Sequence, residues 1–117
     1  MHPLVNIAIR AARRGANVLL RGIEHLGEIE VHSKGHRDLV SEIDRTAERE
    51  IVEVIHRSYP EHGVHGEEFG HHPGTEDVTW IIDPLDGTTN YLHGLPHFCV
   101  SIAIEERGRI EHGIVYD

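Results

Sequence analysis

The feature that most constrains this chain is an apolar run that ends in two closely spaced aspartates, WIIDPLDGTTN at residues 80–90. The run from Val78 to Ile82 is short and β-branched, which is typical of a buried strand. Pro84 fixes its own φ and favours an extended conformation at Asp83. We therefore predict that the chain leaves the strand there in a rigid turn that directs Asp83 and Asp86 to one side.

Two chemical interpretations of this turn are open. A hard divalent cation such as Mg²⁺ prefers oxygen ligands, and Asp83, Asp86 and the Leu85 carbonyl are suitable donors. Gly87 permits close backbone approach, and a short helix opening near Thr88 could hold a phosphate through its first N–H groups. Alternatively, the aspartates form only an Asx-type turn, with Thr88 as a helix cap.

Two further acids stand side by side earlier in the chain, after the glycine of HGEEFG. Adjacent carboxylates such as those of Glu67 and Glu68 repel each other unless water or a cation separates them. They are either solvated loop residues or ligands that belong with the aspartates.

Two amphipathic helices are predicted before these motifs. Apolar residues recur at three- and four-residue steps from Pro3 to about Glu24, and proline suits a first helical turn. A second helix should begin near Ser41, with Ser41 and Asp44 as an approximate capping box, and should end before SYPEHG. In this interpretation Asp44 is a helix-capping acid, a role that can coexist with a place in a site. The expected core face of the second helix is Ile43, Ala47, Ile51, Val54 and Ile55.

The remaining segments indicate short strands and loops. Residues 27–38 are interpreted as a loop or short strand, and residues 64–77 as a short strand followed by a polar loop. Residues 96–117 predict two strands joined by a turn at Arg107 and Gly108. The histidines around the polar loop have irregular spacing and no paired cysteine, which favours solvated side chains over a transition-metal site. They are His62, His65, His71 and His72.

Charge and cysteine content limit the expected partners and compartment. Eleven basic and 20 acidic residues give a formal net charge of −9, which disfavours nonspecific binding to nucleic acid or to an anionic membrane surface. The single cysteine, Cys99, has no disulfide partner within the chain. The N-terminal segment is interrupted by arginines and lacks the apolar core of a signal peptide. We expect a cytoplasmic protein without membrane contact or direct nucleic-acid binding.

Four segments together resemble the inositol monophosphatase family of metal-dependent sugar phosphatases, nearest to its bacterial branch. They are KGHRDLVSEID, GEE, WIIDPLDGTTNYLHGLPHF, and VSIAI followed by GIVYD. The resemblance implies an α/β (α+β) layered sandwich, with two long helices packed on a mainly antiparallel sheet. It also implies that residues 1–117 are the N-terminal part of such a domain, with the C-terminal part absent.

The resemblance implies ligands for two to three Mg²⁺ ions. One ion would be held by Glu67, Asp83 and the Leu85 carbonyl. Asp83 would also bind a second ion, together with Asp86, and a weaker third ion would lie near Glu67.

The same resemblance implies the groups that handle the phosphate. The N–H groups of Gly87 and Thr88, with Glu67, would lie at the substrate. Asp44, paired with the Thr88 hydroxyl, would help to activate the attacking water, so that Asp44, Glu67 and Thr88 form the catalytic set. Lys34 and Asp38 would belong to a loop over the site.

The implied reaction is Mg²⁺-dependent, lithium-sensitive hydrolysis of an inositol monophosphate or a related sugar phosphate by metal-activated water. A 3′-phosphoadenosine phosphate or fructose bisphosphate phosphatase is an alternative, and so is a regulatory binding role with the apparatus for transcription and ribosomal RNA synthesis. The family also implies a homodimer at full length. Because its second half supplies another metal-binding aspartate, we expect little activity from residues 1–117 alone.

Overall fold

The computed structural model describes residues 2–26, 33–86 and 99–116, with the backbone alone for residues 84–86. Within these residues, two long helices precede five strands. The elements are α1 (Pro3–Leu26), α2 (Lys34–Ser58), β1 (Gly63–Gly66), β2 (Gly70–His72), β3 (Val78–Asp86), β4 (Cys99–Glu106) and β5 (Arg109–Tyr116).

The strands form one sheet in the order β2-β1-β3-β4-β5. The pairing of β1 with β3 is parallel, and the other three pairings are antiparallel. Helix α1 packs against α2 and against β4 and β5, while α2 contacts β3. This arrangement confirms the predicted layered sandwich of two helices on a mainly antiparallel sheet.

The core lies between the helices and one face of the sheet. The predicted inner face of α2 is buried throughout, and on the sheet Trp80, Val100 and Ile104 are fully buried. Helix α1 begins at Pro3 and runs to Leu26, which confirms the first predicted helix to within two residues. Within the described residues, neither helix has the length and apolar character that crossing a bilayer would need.

The predicted start of the second helix near Ser41 is wrong. Helix α2 begins at Lys34, and Ser33 is its N-cap, with a side-chain oxygen that accepts a hydrogen bond from the His36 N–H at 3.1 Å. The apolar positions at residues 39 and 40 carry the buried stripe one turn upstream of Ile43, so the helix gains packing there. Gly35 lies in the first turn of this helix.

The polar loop predicted after β1 contains a second strand. Strand β2 pairs antiparallel with β1, with His65 opposite His71 and Gly66 opposite Gly70. Its three residues are largely exposed and show no alternation of apolar and polar side chains, so the sequence carries no strand signal there. The resulting hairpin places the acids Glu67 and Glu68 in a tight turn.

Strand β3 is longer than predicted, because pairing resumes after the expected turn. Asp83 lies opposite Ser101 and Asp86 opposite Cys99, so β3 has one extra residue between these pairs. Pro84 lies in this irregularity, where its missing N–H removes no regular ladder bond. The turn at Arg107 and Gly108 is confirmed, since both have positive φ values, 53° and 80°, as a two-residue hairpin requires.

Gly74 lies where the loop before β3 crosses the start of β1, and we predict that alanine there destabilises the protein. A Cβ atom at this position would meet the Glu61 carbonyl oxygen and would lie 2.5 Å from the Gly63 nitrogen. Because these are backbone atoms, no side chain can yield, and we expect a loss of about 3 kcal/mol in the free energy of unfolding. Chemical denaturation measures this loss.

The matched control is Gly35→Ala, because a Cβ atom there has nothing within 4 Å. Alanine in a helix is favoured over glycine, so this variant should gain up to about 1 kcal/mol. Equal stability of the two variants would contradict the close approach at Gly74.

Candidate metal centre

Carboxylates from separate elements converge at one end of the sheet. Asp44 comes from α2, and Glu67 and Glu68 come from the turn between β1 and β2. One oxygen atom from each of these three side chains lies within 4.8 Å of the others. Residues 23 positions apart in sequence are therefore brought together by the fold.

Asp44 has the most constrained environment of the three. Burial and, to a smaller extent, neighbouring carboxylates together raise the pKa of its carboxyl to about 7. Its Oδ1 atom is buried and has no hydrogen-bond partner among the described residues. The carboxylates that act on it belong to Glu67, Glu48, Glu68 and Asp83.

This environment fits a hard cation. Closely spaced carboxylates with an unsatisfied buried oxygen repel one another unless a positive charge lies between them, and oxygen donors are the ligands that Mg²⁺ prefers. The alternative in which Asp44 only caps a helix is excluded, because α2 begins ten residues earlier at Lys34.

Asp83 belongs to the same cluster of charges. Its side chain is exposed at the site end of β3, and it is close enough to contribute to the raised pKa of Asp44. Asp86 follows three residues later in the same strand, with the Leu85 backbone between them. The strand position of both aspartates differs from the simple Asx-type turn that the sequence left open.

The structure thus brings together three of the predicted site residues, Asp44, Glu67 and Asp83. The side chains of Leu85 and Asp86, and all of Gly87 and Thr88, lie outside the described residues. Their predicted roles in binding metal and phosphate stay predictions.

The predicted loop over the site at Lys34 and Asp38 is wrong in one respect. Both residues are exposed in the first turns of α2 rather than in a loop. The Ser33 cap holds this end of the helix, so these side chains project from a regular element. Any contribution that they make to the site stays a prediction.

Sequence reasoning missed Glu48, an acid on the apolar face of α2. Its side chain is only 1% exposed, and its Oε2 atom accepts hydrogen bonds from the N–H groups of Glu68 and Phe69. Burial raises the pKa of the Glu48 carboxyl, and these N–H groups partly oppose that rise. The available signal was its position between Ala47 and Ile51, where the helical period predicts a buried residue.

The interpretation of His62 as a solvated loop residue is wrong. His62 is buried, its ring stacks on Tyr59 at a centroid distance of 4.5 Å, and its Nδ1 atom accepts a hydrogen bond from Trp80 Nε1 at 2.9 Å. Its Nε2 atom lies 3.3 Å from Glu76 Oε2. The other histidines of this region, at positions 65, 71 and 72, are exposed, as the sequence indicated.

Comparison with known proteins identifies the family of this chain. The family model described as the inositol monophosphatase family matches residues 1–117. The chain belongs to the inositol monophosphatase family. This confirms the resemblance seen in the four sequence segments.

Curated relatives in this family include proteins named Nus factor SuhB. The one from Pseudomonas aeruginosa is 49% identical over 120 residues, and the one from Haemophilus influenzae is 52% identical over 118 residues. Each match covers 100% of this chain and 44% of the relative. The chain therefore spans less than half the length of the curated relatives that it matches.

Solved structures of family members show the same fold. The extragenic suppressor protein suhB from Bartonella henselae has a TM-score of 0.83 at 35% identity, covering 98% of this chain and 44% of that one. The inositol monophosphatase from Anabaena has a TM-score of 0.78 at 34% identity, covering 97% of this chain and 39% of that one. The arrangement of α1, α2 and the sheet is therefore the same as in the solved structures of this family.

Proposed function

We propose that this chain supplies the first half of a Mg²⁺-dependent phosphatase site that hydrolyses inositol monophosphate or a related sugar phosphate. The observation that carries the proposal is that Asp44 and Glu67, from separate elements, have carboxylate oxygens within 4.8 Å of each other. The Asp83 charge is near enough to raise the pKa of Asp44, and a buried Asp44 oxygen lacks a partner among the described residues. Membership in the inositol monophosphatase family supports the phosphate monoester as substrate.

The described residues have distinct parts in this proposal. Glu67 and Asp83 are exposed carboxylates that can bind cations, while the buried Oδ1 of Asp44 can accept a hydrogen bond from water entering the site. Mg²⁺, when bound, would acidify coordinated water and offset the phosphate charge. Asp86 and the Leu85 carbonyl extend the ligand set, and two to three ions would be held in the complete site.

The phosphate-binding part of the proposal rests on the DGTT segment after β3. The backbone N–H groups of Gly87 and Thr88 would hold the phosphate, and the Thr88 hydroxyl would pair with Asp44 at the water. Glu67 would lie beside both metal and substrate.

The direct test is phosphate release from inositol 1-phosphate by residues 1–117 joined to the second half of the Pseudomonas aeruginosa relative. We refer to this protein as the full-length form. Release should require Mg²⁺, stop on chelation with EDTA, and be inhibited by lithium. Release that persists in EDTA would contradict the proposal. Faster cleavage of 3′-phosphoadenosine 5′-phosphate or fructose bisphosphate would identify the substrate as one of those alternatives.

Residues 1–117 assayed alone should release little or no phosphate. We infer from the resemblance to the family that a further metal-binding aspartate belongs to the second half, so the second cation would bind weakly without it. The assay compares this span with the full-length form at equal concentration. Near-equal turnover would show that the described acids suffice.

A regulatory binding role is the second candidate, because curated relatives are named Nus factor SuhB. We propose that this role uses a surface recognised by the transcription apparatus rather than the metal centre. For either function we also propose a cytoplasmic location and a homodimer of the full-length form. An Asp83→Asn variant that still complements a deletion strain would indicate that the binding role dominates.

A further inference from the structure

We propose that Glu48 is a positioning residue whose buried carboxylate anchors the β1–β2 turn and so fixes Glu67 beside Asp44. The proposal rests on the proposed function only for the assignment of Glu67 as a metal ligand. Glu48 itself does not belong to the converging acids at the mouth of the site, because its side chain is 1% exposed.

The anchor consists of two hydrogen bonds to one oxygen atom. Glu48 Oε2 accepts from the Glu68 N–H at 3.0 Å and from the Phe69 N–H at 2.7 Å. Both donors are backbone groups of the hairpin turn, 20 and 21 residues along the chain. Because one oxygen atom accepts from two adjacent backbone N–H groups, a side chain of this length can hold the turn against α2.

The absence of a side chain at Gly66, just before the turn, makes room for the Glu48 carboxylate. A Cβ atom at Gly66 would collide with Glu48 Oε1 and would lie 2.7 Å from its Cδ. Glycine at this position therefore leaves the space that the Glu48 side chain fills. Glu67 lies between Gly66 and Glu68 in the chain. Glu48 packs against Gly66 and accepts a hydrogen bond from the Glu68 N–H, so it holds the turn on both sides of Glu67.

The spacing along α2 couples this anchor to the site. Glu48 follows Asp44 by four residues, so both side chains lie on the same face of the helix, one turn apart. One turn of α2 thus directs the Asp44 carboxylate into the site and holds the turn that carries Glu67. The separation of Asp44 and Glu67 is then set by a rigid helix rather than by the hairpin alone.

The test compares two conservative variants in the full-length form. Glu48→Asp keeps the charge but is one methylene shorter, so it should not reach both N–H groups. Glu48→Gln loses the charge but keeps the reach and one acceptor oxygen. We expect calorimetric titration with Mg²⁺ alone to show about tenfold weaker binding for Glu48→Asp and a change below about threefold for Glu48→Gln. Glu42→Asp, at an exposed position of α2, is the matched control and should bind as the wild type does.

A second readout does not depend on metal or activity. Amide hydrogen exchange in the metal-free protein should be about tenfold faster at Glu68 and Phe69 in Glu48→Asp than in Glu48→Gln. If the wild type binds no Mg²⁺, the proposed function fails and this exchange measurement still decides the anchoring role. Wild-type exchange at both amides in Glu48→Asp, or weaker Mg²⁺ binding by Glu48→Gln than by Glu48→Asp, would overturn the proposal.

Discussion

Asparagine in place of Asp83 should reduce Mg²⁺-dependent phosphate release by the full-length form about a thousandfold. The two side chains have the same shape, and the pairing of residue 83 with Ser101 does not require a charge. What is lost is a carboxylate proposed to bind two cations. A metal contributes several kcal/mol of charge stabilisation in the transition state, and about 4 kcal/mol corresponds to about a thousandfold in rate.

The same substitution should not destabilise the metal-free protein. The Asp83 charge is among those that raise the pKa of Asp44, so its removal lessens the repulsion within the cluster. We expect a melting temperature equal to or above that of the wild type without Mg²⁺, and a smaller increase when Mg²⁺ is added. Thermal unfolding with and without the cation measures both.

Asp77→Asn is the matched control for this prediction. Asp77 is exposed just before β3, and its backbone carbonyl accepts a hydrogen bond from the Arg107 N–H. It should retain wild-type turnover and the wild-type response to Mg²⁺. If the Asp83→Asn variant keeps more than about a tenth of wild-type turnover, Asp83 is not a metal ligand, because loss of a ligand should reduce turnover by more than about tenfold.

The contrast between Asp83 and Glu48 shows which parts of the site a sequence reveals. Asp83 lies in a contiguous motif whose proline, glycine and second aspartate each constrain the backbone, so its chemistry is visible locally. Glu48 acts through N–H groups 20 and 21 residues away. Nearly every residue has a backbone N–H, so the residue types in a sequence do not show which of these groups binds Glu48. Only the fold shows that this acid has partners.

The fold errors have a similar origin. The period of apolar residues predicted α1 and the core face of α2, because burial of one face is the main source of helix stability. The first turn of α2 carries little of that pattern. The spacing of Ser41 and Asp44 resembles a capping box, but the N-cap of the helix is Ser33. Strand β2 is stabilised by pairing with β1 and not by its own side chains, so no local signal predicted it.

Phenylalanine in place of His62 should lower the free energy of unfolding by about 1–3 kcal/mol. Trp80 is fully buried, and its Nε1–H donates to His62 Nδ1 at 2.9 Å. Phenylalanine keeps a flat ring against Tyr59 but leaves this donor unsatisfied, and an unsatisfied buried donor costs about that amount. Chemical denaturation at pH 8 measures the loss. Asparagine at position 62 carries an acceptor oxygen near the place of Nδ1 and should lose less than phenylalanine, so the reverse order would contradict the role of this bond.

The His62 hydrogen bonds also predict how stability depends on pH. The Trp80 N–H can only donate, so Nδ1 must be the acceptor and the ring proton must lie on Nε2, which faces Glu76. Burial lowers the pKa of His62 and the nearby His56 adds to this, although Glu76 and Glu106 oppose it.

Because the pKa of His62 is lower in the folded state than its ordinary value of about 6.5, the unfolded chain binds the proton more readily. The contribution of His62 to stability is therefore complete above about pH 7 and declines as the pH falls below about 6.5 towards the folded-state pKa, by at most about 1.4 kcal/mol per pH unit.

His62→Asn has no titrating ring, while every other titrating group is common to both proteins. The difference in unfolding free energy between wild type and His62→Asn should thus be constant from pH 7 to 8 and should shift against the wild type between pH 6.5 and 5. A difference that stays constant down to pH 5 would mean that the buried ring accepts a second proton as easily as the unfolded chain does, which the Trp80 donor at Nδ1 opposes.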